Sequence, residues 1–169
     1  SGSEVRRWVV LPGTHSKHVT VSGARAVSFR TYMTGEVFAL LSRQSVLAHS
    51  LAGGSVPGDD DPASFAAGVR AGAEGNLLHA AFRVRTRALL EDVGPAANYH
   101  YLSGLLIGAE LRDLAGEEVA VTLVASGPLG KAYQRALQVL GVRSPVTVQD
   151  ADDCLIAGQV TIATRLGLL

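Results

Sequence analysis

The sequence predicts an α/β fold, a five-stranded mixed sheet flanked by helices, and three observations carry that expectation. Three β-rich runs open the chain: Trp8 to Leu11, Lys17 to Val21 and Ala26 to Tyr32. A fourth run, VAVTLVA from Val119 to Ala125, enters a glycine-containing turn and then a helix, as a parallel strand does before its crossover. A fifth short run, Pro145 to Gln149, precedes a last helix. Right-handed crossovers then set the later strands beside the first.

The 169 residues, 47% hydrophobic and 18% charged, suit one domain with a substantial core. Fifteen basic and fifteen acidic residues cancel, so neither a nucleic acid nor a membrane surface is expected as partner. No apolar run reaches the roughly eighteen residues of a membrane span, and no signal peptide is visible. A single cysteine, Cys154, leaves no internal disulfide, and no Cys/His set has zinc spacing. A cytoplasmic setting is expected. The opening Ser1-Gly2-Ser3, without Met, reads as an expression scar or as a cut made inside a longer protein.

Taken in order, the first strand stops at Pro12-Gly13, and Thr14-His15-Ser16-Lys17 turns the chain back. Gly13 lets the backbone approach an anion, and the amides of Thr14, His15 and Ser16 can converge on it. Thr14 and Ser16 add hydroxyls, Lys17 adds a point charge, and no carboxylate lies in the turn to repel phosphate. Gly13, Thr14, His15, Ser16 and Lys17 are therefore candidate phosphate-binding residues, although a plain hairpin turn has the same local signature. His18 is expected to point out from its strand. Ser22-Gly23 joins the second and third strands. Thr34 can cap a helix with Glu36 in its first turn. Val37, Leu40, Leu41, Leu47, Ala48 and Leu51 extend one apolar face of that helix through Leu51, making it the first cover on the sheet. Thr31, Thr34 and Glu36 are candidate cleft residues.

Residues 52–61 form a link whose Asp59, Asp60 and Asp61 could suggest a metal; Asp61 before Pro62 is instead a good helix start, and no metal site is expected. From Pro62 to Asp92 the pattern is helical, weakened by Gly68, Gly72 and Gly75, then apolar at Leu77, Leu78, Ala81, Phe82, Leu89 and Leu90. Arg83 and Arg87 share a face expected to be solvated. Gly94-Pro95 opens a helix to Ala115 with a core stripe of Tyr99, Leu102, Leu105, Leu106 and Ala109. Gly104 and Gly108, one turn apart, admit close approach by another helix, by the sheet or by a nucleotide ring. VAVTLVA is apolar on both faces apart from Thr122, as a strand covered above and below would be. Ser126-Gly127-Pro128-Leu129-Gly130 then turns into a helix from about Lys131 to Leu140, a second candidate ligand loop at the carboxyl edge of the sheet. Asp150 to Asp153 starts the last helix, with Leu155, Ile156, Val160, Ala163 and Leu166 inside.

LPGTHSK, SFRTYMTGEVFALLSRQSVLAHS, YLSGLLIGAEL and LVASGPLGKAYQRAL together closely resemble the carboxyl-terminal half of 2-dehydro-3-deoxygalactonokinases. These are sugar-acid kinases of the actin, hexokinase and heat-shock chaperone superfamily. The resemblance covers nearly all of the chain from Trp8 onward. It implies an actin-like, ribonuclease-H-like lobe with a helical insertion at about residues 62–115, the amino-terminal lobe lying outside this chain. It implies ATP with Mg2+, the γ-phosphoryl group passing to the terminal hydroxyl of 2-dehydro-3-deoxy-D-galactonate. Gly13 to Lys17 would meet the β and γ phosphates, and Ser126, Gly127, Pro128 and Leu129, with some contact from Gly104, the adenosine. Relatives commonly have a double glycine where Ser126-Gly127 stands. The catalytic base and the first phosphate loop belong to the other lobe, so the 169 residues alone are expected to be inactive. The partners implied are ATP, a small sugar acid and that amino-terminal lobe; a homodimer is a further expectation. Two rival readings are a non-catalytic assembly module using residues 62–115 as an interface, and a kinase, of the ROK type or another, for a different sugar or sugar acid.

Overall fold

The structure, a computed structural model, describes residues 6–52, 61–116 and 118–168. In chain order its elements are β1 (Arg6–Leu11), β2 (Ser16–Ser22), β3 (Arg25–Tyr32), α1 (Thr34–Gln44), α2 (Pro62–Glu74), α3 (Leu77–Leu90), α4 (Pro95–Leu111), β4 (Ala120–Val124), α5 (Gly127–Val139), β5 (Val146–Gln149) and α6 (Ala151–Arg165). The five strands form one sheet in the order β3-β2-β1-β4-β5. β2 is antiparallel to β1 on one side and to β3 on the other, whereas β4 runs parallel to β1 and β5 parallel to β4. The predicted mixed sheet is therefore present, with β4 beside the first strand and β5 one strand further out.

Strand periodicity decides which side chains enter the core. Val10 stands opposite His18 on one side and Leu123 on the other, and all three are buried. β4 alternates, with Val121 and Leu123 buried and Ala120, Thr122 and Val124 half-buried. It is thus covered more fully on one face, not equally on both as its composition predicted. The difference lies in α6, which has no buried residue and no extended contact with another element. Leu155, Ile156, Val160 and Leu166, expected inside, are exposed. Among the described residues, no helix is long and apolar enough to cross a membrane.

The cover over the buried face is α4 with α2 and α5, not α1 as predicted. α1 has no buried residue and ends at Gln44, seven residues before the predicted end at Leu51. Ser45 turns the chain there, its hydroxyl donating to the Leu41 carbonyl and accepting from the Leu47 amide that opens a short 3-10 turn, Val46–Ser50. α4 lies at the centre: Ile107 and Leu111 join Val10, Val121, Leu123 and Tyr133 on the sheet side, and Tyr101, Leu102, Leu105 and Leu106 join Leu47, Ala80 and Val84 on the other.

The helical pattern predicted from Pro62 to Asp92 is two helices. Asp61 caps α2 through the Ser64 amide, as its place before Pro62 predicted; Asp59 and Asp60 lie outside the described residues. Gly75 is extended, and the Asn76 side chain caps α3 by accepting from the amides of Leu78 and His79. α2 and α4 meet along facing glycines. An added Cβ at Gly68 would lie 2.1 Å from the Tyr101 carbonyl oxygen, and one at Gly104 2.1 Å from that of Phe65.

Arg83 is exposed, but Arg87, predicted to share its solvated face, reaches inward. Its guanidinium donates to Asn98 and Ser64 and lies 4.4 Å from the centroid of the Tyr101 ring. The Tyr101 hydroxyl is buried and has no hydrogen-bond partner among the described residues. Tyr101→Phe is expected to leave stability unchanged or raise it by up to about 1 kcal/mol, because it removes an unpaired polar atom while keeping the ring under Arg87. Denaturant unfolding checks this, and a comparable loss would show that the hydroxyl is paired.

Candidate functional site

The parallel register sets the site. Val10 of β1 is level with Leu123 of β4, so Pro12-Gly13 and Ala125-Ser126 leave the sheet at the same edge, one strand spacing apart, about 4.8 Å. β5 ends there too: Val124 is level with Gln149, and the Ala125 amide donates to the Gln149 carbonyl. Ser126 Oγ donates to Asp150 at 2.7 Å and accepts from the Ala151 amide. Asp150 is held below the usual carboxylate range, chiefly by the Ser126 hydroxyl and then by the amides of Asp153 and Asp152. Both candidate ligand loops therefore share the carboxyl edge of a parallel strand pair, where open α/β sheets bind ligands.

The first loop is clamped to α1. An added Cβ on Gly35 would lie 2.8 Å from both the Gly13 carbonyl oxygen and the Thr14 Cα, so only glycine allows this approach. The Glu36 amide donates to the Thr14 carbonyl at 3.1 Å. Thr14, His15 and Lys17 are exposed, and Lys17 Nζ donates to the His15 carbonyl at 2.8 Å. Two expectations change here. The turn has no carboxylate in sequence, but Glu36 comes back to it and pairs with His15 at 2.7 Å. The Ser16 hydroxyl is fully buried and points away from the edge.

Ser16 turns inward because β2 alternates, sending Ser16 and His18 to the helix face. There both donate to Glu110 of α4, at 2.6 Å and 2.8 Å. His18, predicted to point out, is 1% exposed and packs against Tyr32, ring centroids 4.5 Å apart. Tyr133 of α5 donates to the other Glu110 oxygen at 2.7 Å, and Thr34 donates to the same atom. The Thr34 hydroxyl is thus tied to Glu110, and Thr34 is not the cap of α1, which has no side-chain cap. Thr31 is exposed on β3, level with Lys17. Sequence reasoning passed over Glu110, Tyr133 and Asp150. The available signal was one carboxylate in the apolar run LLIGAEL.

The second loop is tighter than predicted. α5 begins at Gly127, four residues before Lys131, with Gly127 at φ +61 and Pro128 in the first turn. Leu129 is exposed. Gly104, given some adenosine contact by resemblance, instead faces the α2 backbone, which fills the side a ring would need. Helix packing is what its Gly-xxx-Gly spacing encodes. A pocket of about 160 Å³ beside Thr34 and Glu110, lined also by Met33, Val37 and Leu106, is smaller than the roughly 300–1,000 Å³ of a nucleotide-sized site. Among the described residues no three His, Cys, Asp or Glu side chains gather to hold a metal ion.

These features define an open α/β fold with two polar loops at one edge of its sheet. The chain belongs to the 2-keto-3-deoxy-galactonokinase family, whose model matches residues 1–162. It is 38% identical over 159 residues to a 2-dehydro-3-deoxygalactonokinase of Escherichia coli (strain K12), covering 91% of this chain and 52% of that protein. It is 36% identical over 165 residues to a protein of Rhizobium meliloti (strain 1021) named "Probable 2-dehydro-3-deoxygalactonokinase", covering 89% and 50%. A crystal structure from Sinorhizobium meliloti titled as a "putative 2-dehydro-3-deoxygalactonokinase protein" superposes with a TM-score of 0.86 at 35% identity, covering 96% of this chain and 53% of that one. The chain thus spans about half the length of the relatives it matches, and the family read from LPGTHSK and RTYMTGE is correct.

Proposed function

We propose that this chain is the nucleotide-binding, carboxyl-terminal lobe of an ATP-dependent kinase that phosphorylates 2-dehydro-3-deoxy-D-galactonate at its terminal hydroxyl, giving the 6-phosphate. The observation that carries this is the register of β1 with β4, which brings the 12–15 turn and the 126–129 turn to one edge of the sheet. Gly13, Thr14, His15 and Lys17 then meet the β and γ phosphates, and Ser16 contributes only through its main chain. Lys17 is exposed, and its ammonium, which donates to the His15 carbonyl of its own turn, has further N–H donors to offer an incoming phosphate. Ser126, Gly127, Pro128 and Leu129 hold the adenosine, with the exposed Leu129 side chain offering the ring an apolar surface.

Phosphoryl transfer further needs Mg2+ on the triphosphate and a base to orient the hydroxyl. Mg2+ is proposed as the companion of the nucleotide, bound mainly by phosphate oxygens and water as this ion usually is. The base and the sugar-acid contacts are assigned to the amino-terminal lobe, so the 169 residues alone are expected to show no turnover in a coupled assay.

Calorimetry with ATP and Mg2+ on the full-length protein tests the lobe assignment. Lys17→Ala is expected to weaken nucleotide binding about tenfold by removing a charge-assisted phosphate contact. Gly127→Ala is expected to weaken it as well, because its φ of +61 strains any side-chain-bearing residue by about 1–2 kcal/mol. Wild-type protein that binds no ATP at millimolar concentration sinks the reading. A second reading, a non-catalytic module that associates through its middle helices, draws on the exposed Leu78, Phe82 and Leu89 of α3. Absence of nucleotide binding together with a stable dimer would favour it.

A further inference from the structure

We propose that Glu110 is a positioning residue for the nucleotide, one buried carboxylate that fixes the spacing between the phosphate turn and the adenosine helix. This rests on the nucleotide reading above and adds a residue that touches no ligand.

Glu110 is 3% exposed and receives four side-chain donors from three elements outside its own helix. Ser16 Oγ and His18 Nε2 approach Oε1, while Thr34 Oγ1 and Tyr133 Oη approach Oε2. Ser16 directly follows the 12–15 turn. Thr34 precedes Gly35, whose Cα is pressed against Gly13 and Thr14. Tyr133 lies six residues into α5 from Gly127, so its tether aims the helix whose first turn is the adenosine loop. One oxygen thus holds the strand leaving the phosphate turn, and the other holds α1 together with α5.

A carboxylate suits this task because it only accepts, and four donors fill its lone-pair directions. Desolvating it is unfavourable, and an apolar residue would fill the same space without that penalty. An apolar side chain would leave α1, β2 and α5 free to slide on α4. Directed bonds remove that freedom, and small displacements at a phosphate site are enough to weaken binding.

The test compares binding with stability on the full-length protein. Glu110→Gln keeps the shape but puts a donor among donors, and is expected to raise the dissociation constant for ATP with Mg2+ about tenfold. Tyr133→Phe and Thr34→Val each remove one tether, and each is expected to raise it about threefold. The Michaelis constant for ATP should rise in parallel while that for the sugar acid stays within about twofold. Ser16→Ala combined with Tyr133→Phe should be non-additive, because both act through one carboxylate.

A merely structural role would lower the unfolding midpoint and leave both Michaelis constants of the folded protein unchanged. That outcome overturns the proposal, and so does an equal change in the two constants. If Glu110→Gln does not fold, the two single-tether variants decide, since each loses only a hydroxyl or its equivalent. Wild-type protein without ATP binding overturns the positioning role too, but it is recognised separately, because the wild-type titration fails before any variant is compared.

Discussion

Gly104→Ala is expected to lower stability by about 2–3 kcal/mol, and Gly104→Val to prevent α4 from seating on α2. The seam has four facing glycines. Added Cβ atoms would lie 2.1 Å from a carbonyl oxygen at Gly68, 2.0 Å at Gly72, 2.1 Å at Gly104 and 2.2 Å at Gly108. Each obstacle is backbone, which no rotamer change can move aside, so the helices must separate by more than an ångström to admit one methyl group. Separation is felt on both sides of α4, because its residues belong to both apolar clusters. Gly158→Ala is the matching control. Gly158 sits inside α6 with nothing within 4 Å of an added Cβ, and alanine there should stabilise the helix by about 0.5–1 kcal/mol. Denaturant unfolding of the two variants reads both signs, and equal midpoints would refute the steric account of the seam.

Glu110→Ala should cost roughly 3–5 kcal/mol, since it strands the buried donors of Ser16, His18 and Tyr133. Its pH signature is more specific. Burial pushes the Glu110 carboxyl up, but hydrogen bonds from His18, Ser16, Thr34 and Tyr133 together outweigh it, and the group is held below its ordinary value of 4.5. A carboxyl whose folded value is depressed contributes stability that is complete above the unfolded value and lost as pH falls through the folded one. Wild-type stability should therefore fall as pH drops below about 4.5, and Glu110→Gln should flatten part of that fall. Asp61 and Asp150 are also depressed and persist in the variant, so the difference between the two pH curves isolates Glu110. Tyr133 does not compete for the proton: burial first, and then the charge of Glu110, push its hydroxyl far above the ordinary tyrosine value. Parallel curves from pH 7 to 3 would refute the assignment.

The sheet was legible in the sequence because alternation, turn residues and crossover length are local properties, and each strand carries its own. The cap at Asp61 was legible for the same reason. Helix partners were harder. α1 has an apolar stripe as clear as those of core helices yet buries nothing, and α6 buries nothing either, while α4, which is apolar nearly all round, is the one both clusters surround. The stripe shows that a face exists and says nothing about what meets it. Arg83 and Arg87, four residues apart, had the same local signature and went to different places, one to solvent and one to Asn98.

By itself the sequence determined the five strands, the two glycine-bearing turns and, through LPGTHSK and RTYMTGE, the family. The tertiary structure alone decided that Ser16, His18, Thr34 and Tyr133, spread over 118 positions from residue 16 to residue 133, meet on Glu110. Strand and turn signals are written in neighbouring residues, whereas a buried carboxylate gains its donors only when packing brings distant segments together.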